Sequence, residues 1–259
     1  MQLSHDRRWV GVAIILAWMA AGRVSAQDLS TAEAVLTRFV EVTGGRAAYE
    51  KLRSEQAKGS VEVVGMGLRG TIVARTAPPD KSYSSLDITG IGTAEEGTYD
   101  GVAWENSSVQ GPRVKSGEER AAALRESAFN SHIRWKELYA KAELAGIEDV
   151  EAKPCYKVVL TPAEGKPVTQ YYDKESGLLV KVAATVVSPM GDIPSQTYLG
   201  DYKDVSGVLT PHSLRHKVMT QEIQIRLESV QYNGDLLPNA FDPPAEVRAL
   251  LDKPQPVPK

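Results

Sequence analysis

The chain of 259 residues has a single cysteine, four histidines and three phenylalanines. One cysteine cannot form an internal disulfide. Cys155 lies in the strand-like run "KPCYKVVL", where a buried and unreactive thiol is expected. An excess of positive charge is also missing, because 30 Lys and Arg face 33 Asp and Glu for a formal charge of −3. That excludes non-specific nucleic-acid binding, which needs a basic face. No CxxC, HExxH or G-x-S-x-G string occurs. "GMGLRG" (65–70) matches a dinucleotide fingerprint only as a string: it joins two strands and opens no helix that could hold a phosphate.

Long apolar runs are absent but for one. Trp9–Ala21 follows Arg7 and Arg8 and precedes "VSA" (24–26), the layout of a secretory signal peptide cleaved after Ala26. The run is about a dozen residues, too short to span a bilayer of roughly 30 Å. Cleavage removes three arginines and one aspartate, a net +2, so the exported chain carries −5. No cysteine follows the cleavage position, so a lipid anchor there is not expected. The expected product is a periplasmic protein with residues 27–244 as a single domain and 245–259 as a short helix and proline-rich tail. Without disulfides its core alone must hold it together.

What is there divides by periodicity. "STAEAVLTRFVEVTGG" predicts a helix opened by a Ser30/Glu33 capping box, striped by Val35, Leu36, Phe39 and Val40, and ended by Gly44-Gly45. "RAAYEKLRS" predicts a second. Beyond residue 54 the period drops to two. Strands are expected in "AKGSVEVVGM", "LRGTIVART", "KSYSSLDI", "TAEEGTYDGVAWENS" with its Asp100-Gly101 hairpin, "CYKVVLTPAEGKPVTQYYD", "GLLVKVAATVVS", "IPSQTYLGDYKDV", "VLTPHSLRHKV" and "QEIQIRLESVQYN". Short polar connections imply antiparallel neighbours. One helical insertion, 116–139, interrupts them and opens with a Ser116/Glu119 capping box. A long antiparallel sheet with so few helices must curl and leave a concave face to be filled. An apolar concavity is a ligand site by default.

Chemistry is not evident. His212 and His216 would share a helix face, but Pro211 and the surrounding pattern favour a strand. There they stand about 13 Å apart at ~3.3 Å per residue, whereas two nitrogens on one zinc lie within about 4 Å of each other. His132 reads as a surface or helix-end histidine. Glu95-Glu96 and Glu118-Glu119 read as solvated pairs, since adjacent strand residues face opposite ways. Neither a catalytic group, a metal site nor a cofactor is expected. Alternating apolar positions stand out instead: Leu68, Ile72, Leu86 and Ile88; Leu178, Val180 and Val182; Ile223, Ile225 and Leu227.

Five segments carry a resemblance: "VLTRFVEVTGGRAAYEKLRSEQAKGSVE", "TYDGVAWENS", "TPAEGKPVTQYYDKESGLLVK", "TYLGDYKDVSGVLTPHSLRH" and "VQYNGDLLPNAFDPP". In order and spacing they resemble the LolA-like superfamily, and within it the exported outer-membrane lipoprotein-sorting proteins. The element D-Y-x-D-V-x-G-V-x-x-P (201–211) is the most recognisable. The resemblance implies an α+β, mostly antiparallel half-barrel with helices filling its concave face. It implies a non-catalytic periplasmic carrier, binding acyl chains of lipids or lipoproteins and exchanging them with inner- or outer-membrane partners. The chain is longer than the carrier that names the superfamily, and the 116–139 insertion is its own.

On that reading, acyl chains lie against Leu68, Ile72, Leu86, Ile88, Trp104, Val180 and Ile225, with Phe129 and Trp135 acting as a lid. The chain is expected to be monomeric. The alternative is an envelope sensor or adaptor that grips a protein partner through the cleft or a sheet edge.

Overall fold

The computed structural model describes residues 28–188 and 191–252. The expected signal peptide and the proline-rich end fall outside these residues. Thirteen strands form one sheet: β1 (Glu55–Val63), β2 (Leu68–Ala77), β3 (Lys81–Ile88), β4 (Gly92–Tyr99), β5 (Val102–Ser107), β6 (Gly111–Val114), β7 (Lys141–Val150), β8 (Lys153–Thr161), β9 (Val168–Asp173), β10 (Leu179–Ser188), β11 (Gly191–Val205), β12 (Val208–Val218) and β13 (Gln221–Tyr232). Their spatial order is β6-β5-β4-β3-β2-β1-β13-β12-β11-β10-β9-β8-β7. Every strand therefore pairs antiparallel with a sequence neighbour, except at the β1–β13 seam. The curved, open antiparallel sheet is the expected LolA-like half-barrel.

Among the described residues there are also five α-helices: α1 (Ala32–Val42), α2 (Arg46–Tyr49), α3 (Gly117–Glu126), α4 (Trp135–Leu138) and α5 (Ala245–Leu251). In α1 the buried Ala32, Val35, Leu36 and Phe39 recur at helical spacing and form one stripe. That stripe packs on Tyr156, Val158, Leu160 and Tyr172 of β8 and β9, filling the inner face of one arm of the sheet. The helix is capped by Thr31, whose Oγ1 accepts the Ala34 amide at 3.1 Å, so the expected Ser30/Glu33 box gives way to a single threonine cap. Glu33 instead meets Lys136 at 2.6 Å. The helix stops where Gly44 and Gly45 take φ of 130° and 81°. A side chain at Gly44 would also strike the Gly207 carbonyl, so this glycine lets the helix end sit against the β11–β12 turn.

The insertion at 116–139 is not one helix. Asn130 takes a left-handed φ of 55° and donates its side-chain amide to the Tyr49 carbonyl at 2.8 Å. That breaks the segment into α3, a 3₁₀ turn (Ser131–Ile133) and α4. The Ser116 side chain caps nothing, and the Glu119 carboxylate is engaged by Arg113, so the expected capping box does not form. Two strands lacked a sequence signal. β6 is only four residues long. β7 is an edge strand, mostly exposed, with its alternation broken by a register shift between Leu144 and Ile147.

Candidate ligand-binding cleft

The sheet register sorts the strand residues onto two faces. Gly59, Ile72, Leu86 and Ala94 stand side by side across β1 to β4, and Ile225 stands opposite Val61. Together Ile72, Leu86, Ala94, Ile223 and Ile225 wall a cavity of about 480 Å³ on the inner face. Leu68 and Ile88 share that face further along β2 and β3; Leu68 is half-buried and Ile88 buried. A neighbouring space of about 590 Å³ runs beneath α3 to Val186, Val187 and Ile193 of the opposite arm. Helix α3 touches both β5 and β10, so it bridges the groove. It buries none of its residues completely and functions as a strap over a hollow.

An ion cluster closes the β4–β6 side. Arg113 grips Glu119 of α3 through two hydrogen bonds of 2.6 Å and reaches Glu105 at 2.9 Å. Lys115 meets Glu96 at 3.2 Å and Glu105 at 3.8 Å. The paired Arg113 holds the Glu119 carboxyl below its ordinary value. Glu126, at the end of α3, also faces this space; desolvation, and then the nearby Glu96, raise its pKa. Glu119 is thus a sheltered cleft group, whereas Glu96 borders the cleft but keeps 60% of its side-chain surface, as expected of a solvated residue. Their neighbour Glu95 points away and accepts from the Tyr83 hydroxyl at 2.7 Å. The available signal was the charge alternation Glu105, Arg113 and Lys115 on a hairpin, which brings opposite charges onto one face.

Of the sequence-predicted site residues, Ile72, Leu86 and Ile225 meet in one cavity. Trp104 does not join them. It pairs with Gly97 and stacks toward Tyr83 at 6.2 Å, on the face opposite Glu105 and Ser107, fully buried where α5 packs on β5. Val180 also faces outward, against Val150, Cys155 and Tyr171, because a bulge between Leu179 and Lys181 interrupts the alternation. Val182, two residues on, packs with the inner cluster.

Phe129 is buried with Tyr49, Leu52 and Val208, and Trp135 packs against the α1 cluster. Both fill the other end of the concave face, leaving α3 as the strap over the cleft. Cys155 is buried, with burial raising its thiol pKa. The strand assignment for His212 and His216 holds: their Nδ1 atoms lie 2.9 Å from the Thr210 carbonyl and the Thr197 hydroxyl. Among the described residues no group of three or more His, Cys, Asp or Glu could hold a metal ion. No described helix is long and apolar enough to cross a membrane, which says nothing of a β-barrel.

A second inner-face chamber, about 260 Å³, lies beneath the α1–α2 end. Its wall holds Glu55 at the start of β1 and His132, which sits between the rings of Phe39 (4.8 Å) and Tyr49 (6.3 Å). His132 is therefore a half-buried group among aromatic rings, and desolvation lowers its pKa to about 4.

Known structures share this architecture. A LolA superfamily protein from Nitrosomonas europaea superposes with a TM-score of 0.54 at 14% identity, over 83% of this chain and 99% of that one. A DUF1329 family protein from Desulfovibrio piger gives 0.54 at 16%, over 83% and 98%. A domain described as an outer membrane lipoprotein-sorting protein, from Vibrio parahaemolyticus, gives 0.54 at 12%, over 82% and 97%. No protein-family model and no curated protein matches the chain by sequence. At these identities the likeness defines the fold: this chain has the LolA-like fold.

Proposed function

We propose that the protein is an exported, non-catalytic carrier that holds the acyl chain of a lipid or acylated protein in the inner-face cleft, works as a monomer and needs no cofactor. One observation carries this reading: an apolar wall of Ile72, Leu86, Ile223 and Ile225 facing about 480 Å³ of unfilled space, beside a second space that shares Glu96, Glu105 and Gln110 with it and lies beneath the strap between both arms. That volume falls within the roughly 300–1,000 Å³ of ordinary small-ligand sites. Each buried methylene contributes about 0.8 kcal/mol, so a chain of about a dozen carbons gains up to ~10 kcal/mol before ordering costs. The Arg113, Glu105 and Lys115 cluster supplies a polar rim, which suits an amphiphile better than a plain hydrocarbon.

The test is native mass spectrometry of the protein secreted with its own leader and purified without detergent, followed by solvent extraction. Lipid or acylated peptide near one per chain supports the carrier. A clean unliganded mass, unchanged after exposure to envelope lipids, overturns it and favours a partner-binding module. The outer edge of β7, which has no neighbouring strand, would be its natural docking edge.

A further inference from the structure

The smaller chamber shares no lining residue with the cleft, and its chemistry differs. Three tyrosines line it, and every hydroxyl is already committed. Tyr49 bonds Thr43 at 2.8 Å, Tyr232 bonds Thr210 at 2.9 Å, and Tyr202 donates to the Leu179 carbonyl at 2.7 Å. What they add to the wall is aromatic ring, whose face attracts cations. Two polar side chains in the wall have no hydrogen bond or ion pair among the described residues: the Glu55 carboxyl and the His132 imidazole. No lysine or arginine lines the chamber. Glu55 is half-buried and lines the chamber.

We propose that this chamber binds a small organic ammonium ion, with Glu55 as its counter-ion and the rings of Tyr49, Tyr202 and Tyr232 as its walls. A carboxyl enclosed by protein without a countercharge is costly in its ionised form. Desolvation accordingly raises the pKa of Glu55, and no cationic side chain offsets it. An ammonium ligand supplies the missing charge. Neutral His132 offers its lone pair to an N–H, so a primary ammonium can donate to both Glu55 and His132, whereas a quaternary ion has no N–H to donate. Leu199, Leu214 and Leu227 leave room for a short apolar substituent. The ammonium can come from a free amine or from the headgroup of an amphiphile.

The experiment is isothermal titration of the mature protein near neutral pH with ethanolamine and with choline, against ethanol and acetate as neutral and anionic controls. Lysophospholipids with ethanolamine or glycerol headgroups form a parallel arm. Binding of ammonium compounds but not the controls supports the proposal. So does binding of only the ethanolamine lysolipid, which would identify the source as a headgroup.

Glu55→Gln should weaken binding roughly tenfold or more while folding at least as stably, since it removes an uncompensated carboxyl. Tyr232→Phe should bind as the parent does, and Tyr232→Leu more weakly. Ethanol binding as tightly as ethanolamine, no ammonium binding at all, or unchanged affinity in Glu55→Gln would overturn it. Because Ile72→Asp lies outside the chamber, it should leave ammonium binding intact even where it abolishes acyl uptake.

Discussion

Arg113 on β6 and Glu119 on α3 form a two-point ion pair, both bonds 2.6 Å long, and it ties the strap to one rim of the cleft. The pair is shielded, with the two side chains retaining 31% and 16% of their accessible surface. Its geometry is the bidentate kind that outlasts ordinary surface pairs.

Glu119→Ala should therefore free α3 while sparing the rest. Hydrogen exchange across 117–126 should speed up about fivefold, corresponding to a loss near 1 kcal/mol, with no change in β8 or β9. The pairing lowers the Glu119 pKa from 4.5, so its contribution is complete above that pH and lost as pH falls through the lowered value. Strap exchange in the parent should accelerate in that acidic window and should be flat with pH there in the variant.

Ile72→Asp and Leu86→Asp place a charge in the wall of the larger cavity, and each should abolish uptake of a fluorescent fatty acid with the fold intact by circular dichroism. Val180→Asp, on the opposite face, should leave uptake unchanged. Normal uptake in Ile72→Asp and Leu86→Asp would remove these residues from the site.

Trp104→Ala should cost about 3–5 kcal/mol in urea unfolding, the usual penalty for emptying a large buried site. Ligand affinity should not change, because the ring lies under α5 and away from the cleft.

His132 gives the stability a pH dependence. Its folded pKa of about 4 lies below the ordinary 6.5, so between those values the unfolded chain binds a proton that the folded chain refuses. The contribution is whole above pH 6.5 and falls as pH drops toward 4, by up to about 3 kcal/mol at 1.36 kcal/mol per unit. His132→Phe, which keeps an aromatic ring against Phe39 and Tyr49, should flatten this part of the profile when unfolding midpoints are compared at neutral pH and near pH 5.

Where alternation runs unbroken, as along β2 and β3, the inward positions could be read from the residues: Ile72 and Leu86 are partners in register and share a cavity. Where one bulge intervenes, the same reading inverts, which is why Val180 and Val182 part company. Trp104 defeats pattern reading for another reason. A large ring on either face of a strand looks alike until one knows that the C-terminal helix returns to cover the outer one. Glu55 and His132 carry no local signal at all, since 76 intervening residues are folded away to bring them to one chamber. Both strands that went unread, β6 and β7, are the sheet's two edges, where exposure erases the hydrophobic contrast that marks the others.

The placement of α1 has a consequence for how the chain is made. It precedes β1 in sequence, yet its apolar stripe is buried by β8 and β9 in the far arm. Strands β1 to β6 can pair hairpin by hairpin as they emerge, but Val35, Leu36 and Phe39 have nowhere to dock until more than a hundred further residues have followed. The first helix settles only once β8 and β9 have been made. Its docking joins the beginning of the chain to its second half, so an incompletely made chain bears an uncovered greasy helix that marks it as unfinished.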